Sequence, residues 1–231
     1  MKYFYILGLA LTILLANACQ SSEKKVEVPK AKPVFINYEV RYLEQERELR
    51  ALVSFKEGDS FKTATSKSFS NINFQGSAME SQNLGQRGIR YILNRKGGYS
   101  SNLDFGYKND DGIPIVYDLT MPVVGEFSIK EGIISKNKVA TIVWNGEPLD
   151  ASHSLVFMFT DKDNKASSIS IKGPTDLSEA FISSKSLADL SLGESQLYLV
   201  KKQVKNTKDE NQTIISVVEY YTSPIDIKTV E

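Results

Sequence analysis

Apolar and polar residues alternate with a period of two through most of this chain, and the apolar phase is rich in aromatic and β-branched side chains. That is the pattern of strands with one face buried. It predicts strands at 34–43, 49–55, 69–74, 89–93, 103–107 and 113–119 in the first half. In the second half it predicts strands at 127–134, 139–144, 155–160, 167–172, 196–204 and 213–222. Asp111-Gly112 marks a hairpin, because both central residues of a type I′ turn need positive φ, which Asp tolerates and Gly adopts freely. Lys96-Gly97-Gly98 marks a second turn, so 88–120 reads as an antiparallel meander. Helix is the exception: Asp176 followed by Glu179 is a capping-box pattern and predicts one short helix over 176–184. The charges of 44–52 read as a solvated loop and strand edge.

The two halves read as diverged copies. Ile72-Asn-Phe74-Gln-Gly76 parallels Ile169-Ser-Ile171-Lys-Gly173, each after an apolar run, 51–55 or 155–159. Further on, 90–93 parallels 197–200, and Ile113-Pro114-Ile115 parallels Ser223-Pro224-Ile225. The period of about 100 residues, with short strands every 8 to 12, resembles that of immunoglobulin-like sandwiches. The resemblance is architectural, since the cysteine pair around a core tryptophan is missing; Trp144 is read as core. The expected fold is therefore all-β, with two tandem immunoglobulin-like antiparallel sandwiches at 34–124 and 125–231. Only a short connection near Gly125 separates them, so little independent movement is expected.

The start of the chain has a different character. Lys2 gives a short positive region, and the uncharged run 3–16 is too short for a bilayer, which needs roughly 18 to 20 apolar residues. Small residues follow at once in Ala16-Asn17-Ala18, and Cys19 is the sole cysteine. Ala16-Asn17-Ala18-Cys19 resembles the lipobox of bacterial lipoproteins, although Leu15 sits one place early and Ala16 replaces the common Leu. The resemblance implies that 1–18 is a signal peptide and that Cys19 becomes the lipidated first residue, which would attach the protein to a membrane. Ala16-x-Ala18 also fits ordinary signal peptidase, which would leave Cys19 as a free thiol. No second cysteine is present to pair with it, which favours lipidation. Residues 20–33 are polar, with two prolines, and read with Cys19 as a flexible tether over 19–33. The polar start resembles lipoproteins of Bacteroidota, and the lack of Asp at position 20 implies outer-membrane sorting.

Composition narrows the chemistry. There are 28 Lys and Arg against 28 Asp and Glu, and Lys2 leaves with the signal. A near-neutral surface with no block of like charge argues against nucleic-acid binding. One histidine and one cysteine cannot build a zinc site. Asp161-x-Asp163 starts like a calcium loop, but Lys165, Ala166 and Lys172 stand where a ligand, glycine and Glu belong, so it reads as a polar turn. His153 lies between Ser152 and Ser154 near Asp150; it reads as a loop histidine without a role, because neighbouring strand residues point to opposite faces. No nucleophile elbow, P-loop or dinucleotide fingerprint is present, so no catalytic residue and no cofactor is expected.

Tyrosine usage comes nearest to suggesting binding. Tyr107, Tyr117, Tyr220 and Tyr221, with Tyr99, lie on or near the last strands of each half and are the candidate binding aromatics. The leading expectation is a non-enzymatic envelope lipoprotein engaging a protein partner through sandwich edges or loops. A glycan- or small-ligand-binding accessory lipoprotein of a nutrient-uptake system is the second, and an envelope hydrolase the third.

Overall fold

Strand β1 (Val34–Leu43) buries Ile36, Tyr38, Val40 and Tyr42 and turns Asn37, Glu39 and Arg41 outward. The turn at 44–47 leads into β2 (Glu48–Glu57), which buries Leu49, Ala51, Val53 and Phe55 by the same alternation. Then follow β3 (Thr65–Ser66), β4 (Ser70–Phe74), β5 (Ser77–Ala78), β6 (Glu80–Asn83), a 3₁₀ turn at Gly85–Arg87, β7 (Ile89–Lys96), β8 (Asn102–Lys108) and β9 (Pro114–Thr120). In this computed structural model, which describes residues 32–231, Cys19 and the signal peptide lie outside the described residues. Strands β1, β2, β7 and β6 pair in that order, and β5, β4, β8 and β9 form a second sheet. This is the A-B-E-D over C′-C-F-G arrangement of an immunoglobulin-like sandwich. Its core is aromatic: Tyr38 meets Phe105 at 4.8 Å between ring centroids, and Phe55 meets Tyr107 at 5.0 Å.

The rest of the chain continues with β10 (Phe127–Ile129), β11 (Ile134–Ser135), β12 (Ala140–Trp144), β13 (His153–Asp161), β14 (Ala166–Lys172) and β15 (Glu179–Ile182), a single helical turn α1 (Ser184–Leu187), and β16 (Gly193–Lys208), β17 (Gln212–Tyr221) and β18 (Ile225–Val230), and all of these except β17 build a second sandwich. Strands β10, β12 and β15 make the A-B-E layer. They face β18, β16, β13 and β14 in the order G-F-C-C′, with β11 parallel on β18. Trp144 lies in this core as expected, buried and 5.7 Å from Phe157.

The strand between F and G joins the two sandwiches. β16 runs past the second sandwich, turns at 209–211 and returns as β17, which pairs parallel with the whole of β1, Val34 against Gln212 through Leu43 against Tyr221. β17 belongs to the 125–231 span, yet its Ile214, Val218 and Tyr220 are buried in the first core. A single eleven-stranded sheet therefore runs through both sandwiches.

Four sequence expectations need correction. Residues 88–120 are not one meander: β7 pairs with β2 and β6, while β8 and β9 lie in the opposing sheet, because Tyr91 and Phe105 fill the same core from opposite sides. At Asp111-Gly112 only Gly112 takes positive φ, +75°, in a three-residue loop closed between Asn109 and Ile113. The Asn109 side chain accepts from the N–H groups of Asp111 and Ile113, which favours this loop over a two-residue turn. The helix over 176–184 is instead strand β15, whose Ala180 and Ile182 alternate into the second core. Helix α1 starts after it, capped by Ser183, whose side chain accepts from the N–H of Ser186. The repeat is real as topology, but its proposed alignment is mostly displaced by one strand: 51–55 lies on a B strand and 155–159 on a C strand.

Candidate functional site

The only histidine, His153, opens strand β13 and is not a loop residue. The amide nitrogen of Gln203 lies 3.1 Å from its Nε2. The Asp150 carboxylate beside Nδ1 favours the neutral tautomer with its proton there, in which Nε2 accepts from the Gln203 amide. Nδ1 lies 2.8 Å from Asp150 Oδ1, but the alignment is poor and Nδ1 is left without a hydrogen bond. Asp150 Oδ1 also accepts from the hydroxyl and N–H of Ser152, and the Ser152 hydroxyl leads the causes that hold the Asp150 carboxyl at about 2. Burial pushes the His153 imidazole below its usual value; Asp150 opposes that shift and Lys201 adds to it. The imidazole thus has no free basic nitrogen to offer a nucleophile. A serine–histidine mechanism has no geometry here.

Lys201 is buried on the inward phase of β16 and donates to the carbonyl of Glu147 at 3.1 Å. Burial lowers its affinity for a proton, partly offset by Glu147 and Asp150. Leu197, Leu199, Lys201 and Gln203 share one strand phase, so a lysine and a glutamine follow two leucines into the interior. That break in the apolar phase is the sequence signal by which this polar cluster could have been found.

Asp161 and Asp163 form the expected polar turn. Asp161 accepts from the N–H groups of Asp163, Lys165 and Ser191, each at 2.9 Å. Burial would raise its carboxyl, but these donors bring it down to about 2. Its lone pairs are committed to N–H groups. Among the described residues no three His, Cys, Asp or Glu side chains converge on a possible metal position.

A cleft of about 720 Å³ lies where the sandwiches meet. Tyr220 contributes from the first core, exposed Tyr99 from the loop between β7 and β8, Phe127 and Trp144 from the second core, and Glu44 from the turn after β1. Tyr42, Tyr99 and Tyr220 cluster with ring centroids 5.0 to 5.6 Å apart. Burial, then Glu44 beside it, holds the Tyr220 phenol well above the ordinary tyrosine range. Glu44 accepts from that phenol and from the N–H of Ser223, both at 2.7 Å. Its role was hidden in the sequence because both partners lie at the far end of the chain.

The four candidate tyrosines do not form one platform. Tyr107 is buried in the first core, and half-buried Tyr117 packs against it, stacked on Tyr38 at 4.4 Å. Tyr220 lines the cleft, and Tyr221, one residue on, points to the opposite face of the sheet, with Arg41 5.1 Å from its ring.

No family model matches the chain, and no curated protein matches it in sequence. Among solved structures it is similar to the FN1–FN3 domains of chicken CNTN1, at 11% identity and a TM-score of 0.31, over 87% of this chain and 69% of that one. It is also similar to the Yersinia pseudotuberculosis adhesin InvE, at 8% identity and a TM-score of 0.21, over 82% of this chain and 58% of that one. Murine CEACAM1b matches at 10% identity and a TM-score of 0.20, over 85% of this chain and 100% of that one. At these scores the functional reading rests on the geometry of the chain itself.

Proposed function

We propose that the chain is a non-catalytic binding module of the bacterial outer membrane, anchored through a lipid on Cys19, that recruits an envelope protein by strand addition. The observation that carries this reading is the free edge of β14. That strand pairs with β13 alone among the described strands. Its seven residues, ASSISIK, contain no proline and a single lysine at the end. Exposed edges are usually blunted by proline, charge or brevity. β9 begins with Pro114 and β6 has four residues, whereas β14 has neither protection. Unpaired backbone groups along such an edge can pair with an incoming strand, while Ser168 and Ser170 stay exposed on its outer face.

A photo-cross-linking side chain at Ser168 or Ser170 tests the proposal in intact cells. The expected result is a discrete protein adduct that disappears in a Ser168→Lys/Ser170→Lys chain of unchanged thermal stability. Absence of an adduct at both positions would overturn it.

A second reading, a glycan- or small-ligand-binding accessory lipoprotein, is favoured by the aromatic cleft. Trp144 is the only tryptophan and lines that cleft, so its fluorescence reports directly on occupancy. Saturable quenching by a soluble oligosaccharide, lost in Tyr99→Ala, would favour this reading over strand addition.

A further inference from the structure

The outward face of the joined sheet carries a second, chemically different surface. The register places Asn94, Arg50, Arg41, Glu219 and Lys202 in one row across five strands. A shallow groove of about 530 Å³ lies over this row, and its charged lining is Arg41, Arg50, Arg90 and Lys202 against Glu39 and Glu219. The lining thus has two more cations than carboxylates.

Glu219 already serves two cations, Arg41 at 2.9 Å and Lys202 at 3.1 Å, and its side chain is only 12% exposed. Arg50 is held through Nε alone by Glu48, and its side chain stays 49% exposed. Arg41 and Arg50 stand directly opposite each other on antiparallel strands. Like charges so placed repel; Glu219 and Glu48 each offset one of them, and an anion between the two guanidinium forks would offset the rest.

The strands under the groove are interior to the sheet, so their backbone groups are committed to neighbours and cannot receive an added peptide strand. Recognition there falls to side chains. Beside the row, Tyr198 and Tyr221 stack at 6.5 Å, and Arg41 lies over the Tyr221 ring. Aromatic faces next to guanidinium groups suit sugar rings that carry acidic substituents.

We propose that this groove binds an acidic polysaccharide, with Arg41, Arg50, Arg90 and Lys202 taking its carboxylate or sulfate groups and Tyr198 and Tyr221 packing on its rings. No residue of β14 lines the groove, and recognition there uses side chains and not a backbone edge, so the proposal stands or falls independently of strand addition.

Binding of the full chain to polygalacturonate, dextran sulfate, neutral dextran and polyglutamate tests it at low and moderate salt. Polygalacturonate or dextran sulfate should bind, weakening as salt rises, and the stronger of the two identifies the acidic group. Neutral dextran should not bind. Arg50→Gln, which removes the charge of a half-exposed side chain, should weaken binding about tenfold with unchanged thermal stability, and Tyr221→Ala should weaken it as well. Lys138→Gln, an exposed lysine between β11 and β12 and outside both the groove and β14, should leave affinity unchanged. Failure of both acidic polymers to bind, or equal binding by Arg50→Gln, would overturn the proposal. Polyglutamate binding as tightly as the polysaccharides with Tyr221→Ala without effect would also overturn it, in favour of an acidic protein.

Discussion

The carboxylate of Glu44 accepts a 2.7 Å hydrogen bond from the phenol of Tyr220, fastening the turn after the first strand to the strand that returns from the second sandwich. Its other oxygen takes the N–H of Ser223, where the chain leaves β17 for β18. One side chain thus satisfies two donors at the point where the sandwiches are joined. Nearby, Thr222 takes the N–H of Leu199 on its hydroxyl and gives its own N–H to the Leu199 carbonyl, which closes the end of the β16–β17 ladder.

Replacing Glu44 with Ala leaves the Tyr220 phenol and the Ser223 N–H without an acceptor. The expected loss is about 1 kcal/mol, because the two hydrogen bonds are part-buried at the cleft and water can take over some of their partners. Thermal unfolding would register it as a drop of several degrees, with Glu44→Gln in between. Amide exchange should quicken chiefly at 212–221. A uniform rise in exchange across both sandwiches would show that β17 is not a separable fastening.

The polar cluster at His153 predicts a pH dependence. Burial lowers the folded-state value of the imidazole below 6.5, and Lys201 and Lys205 act in the same direction against Asp150. Below 6.5 the unfolded chain therefore binds the proton that the folded chain refuses. The stabilising contribution is complete above 6.5, and it is lost as pH falls from 6.5 toward the folded-state value. Asp150 and Asp161, at about 2, lose their contributions only in a lower window, below the usual carboxylate range. Chemical denaturation of wild type and His153→Gln between pH 7 and 5 should show a steeper decline for wild type. Parallel curves would mean that the imidazole is not withheld from solvent.

How far the sequence carried these conclusions differs from element to element. β1 is read to the residue, because Ile36, Tyr38, Val40 and Tyr42 alternate without interruption. Strand position is local information, and side-chain period reports it well. Sheet membership is not local: nothing in 89–107 says that Tyr91 and Phe105 face each other across a core instead of pairing as neighbours. The same limit misplaced 176–184, where Asp176 and Glu179 imitate a helix start while Ala180 and Ile182 obey the period of a strand. β18 was missed although Ile225, Ile227 and Thr229 alternate, because it directly follows Pro224. Of the candidate tyrosines, Tyr220 and Tyr221 sit on surfaces that could bind, but adjacent strand residues face opposite ways and so serve different surfaces.

Gly173 marks a close approach of two backbones. A Cβ there would lie 2.0 Å from the carbonyl oxygen of Asp150 and 2.6 Å from that of Leu149. Both neighbours are main chain, tied in by the paired hydrogen bonds between Leu149 and Thr175 and by the N–H of Gly173 donating to His153. Gly173→Ala should therefore destabilise by about 3 kcal/mol or more, at or above the upper end of ordinary overpacking. Gly98→Ala, whose Cβ meets nothing within 4 Å, is the matched control and should be near neutral. Equal melting temperatures for the two variants would contradict the contact.

The proposed anchor can be tested at Cys19. Each buried methylene of an acyl chain adds about 0.8 kcal/mol of membrane affinity, and stable attachment needs more than one chain, which a lipoprotein cysteine supplies. Wild type should fractionate with membranes and show an amino-terminal mass larger by a diacylglyceryl-type adduct beginning at Cys19, and Cys19→Ala should be released without loss of thermal stability. An unmodified wild-type chain that starts at Cys19 and remains soluble would remove the lipid anchor. Binding at the β14 edge and in the basic groove would then belong to a freely diffusing protein, and neither site depends on the anchor for its geometry.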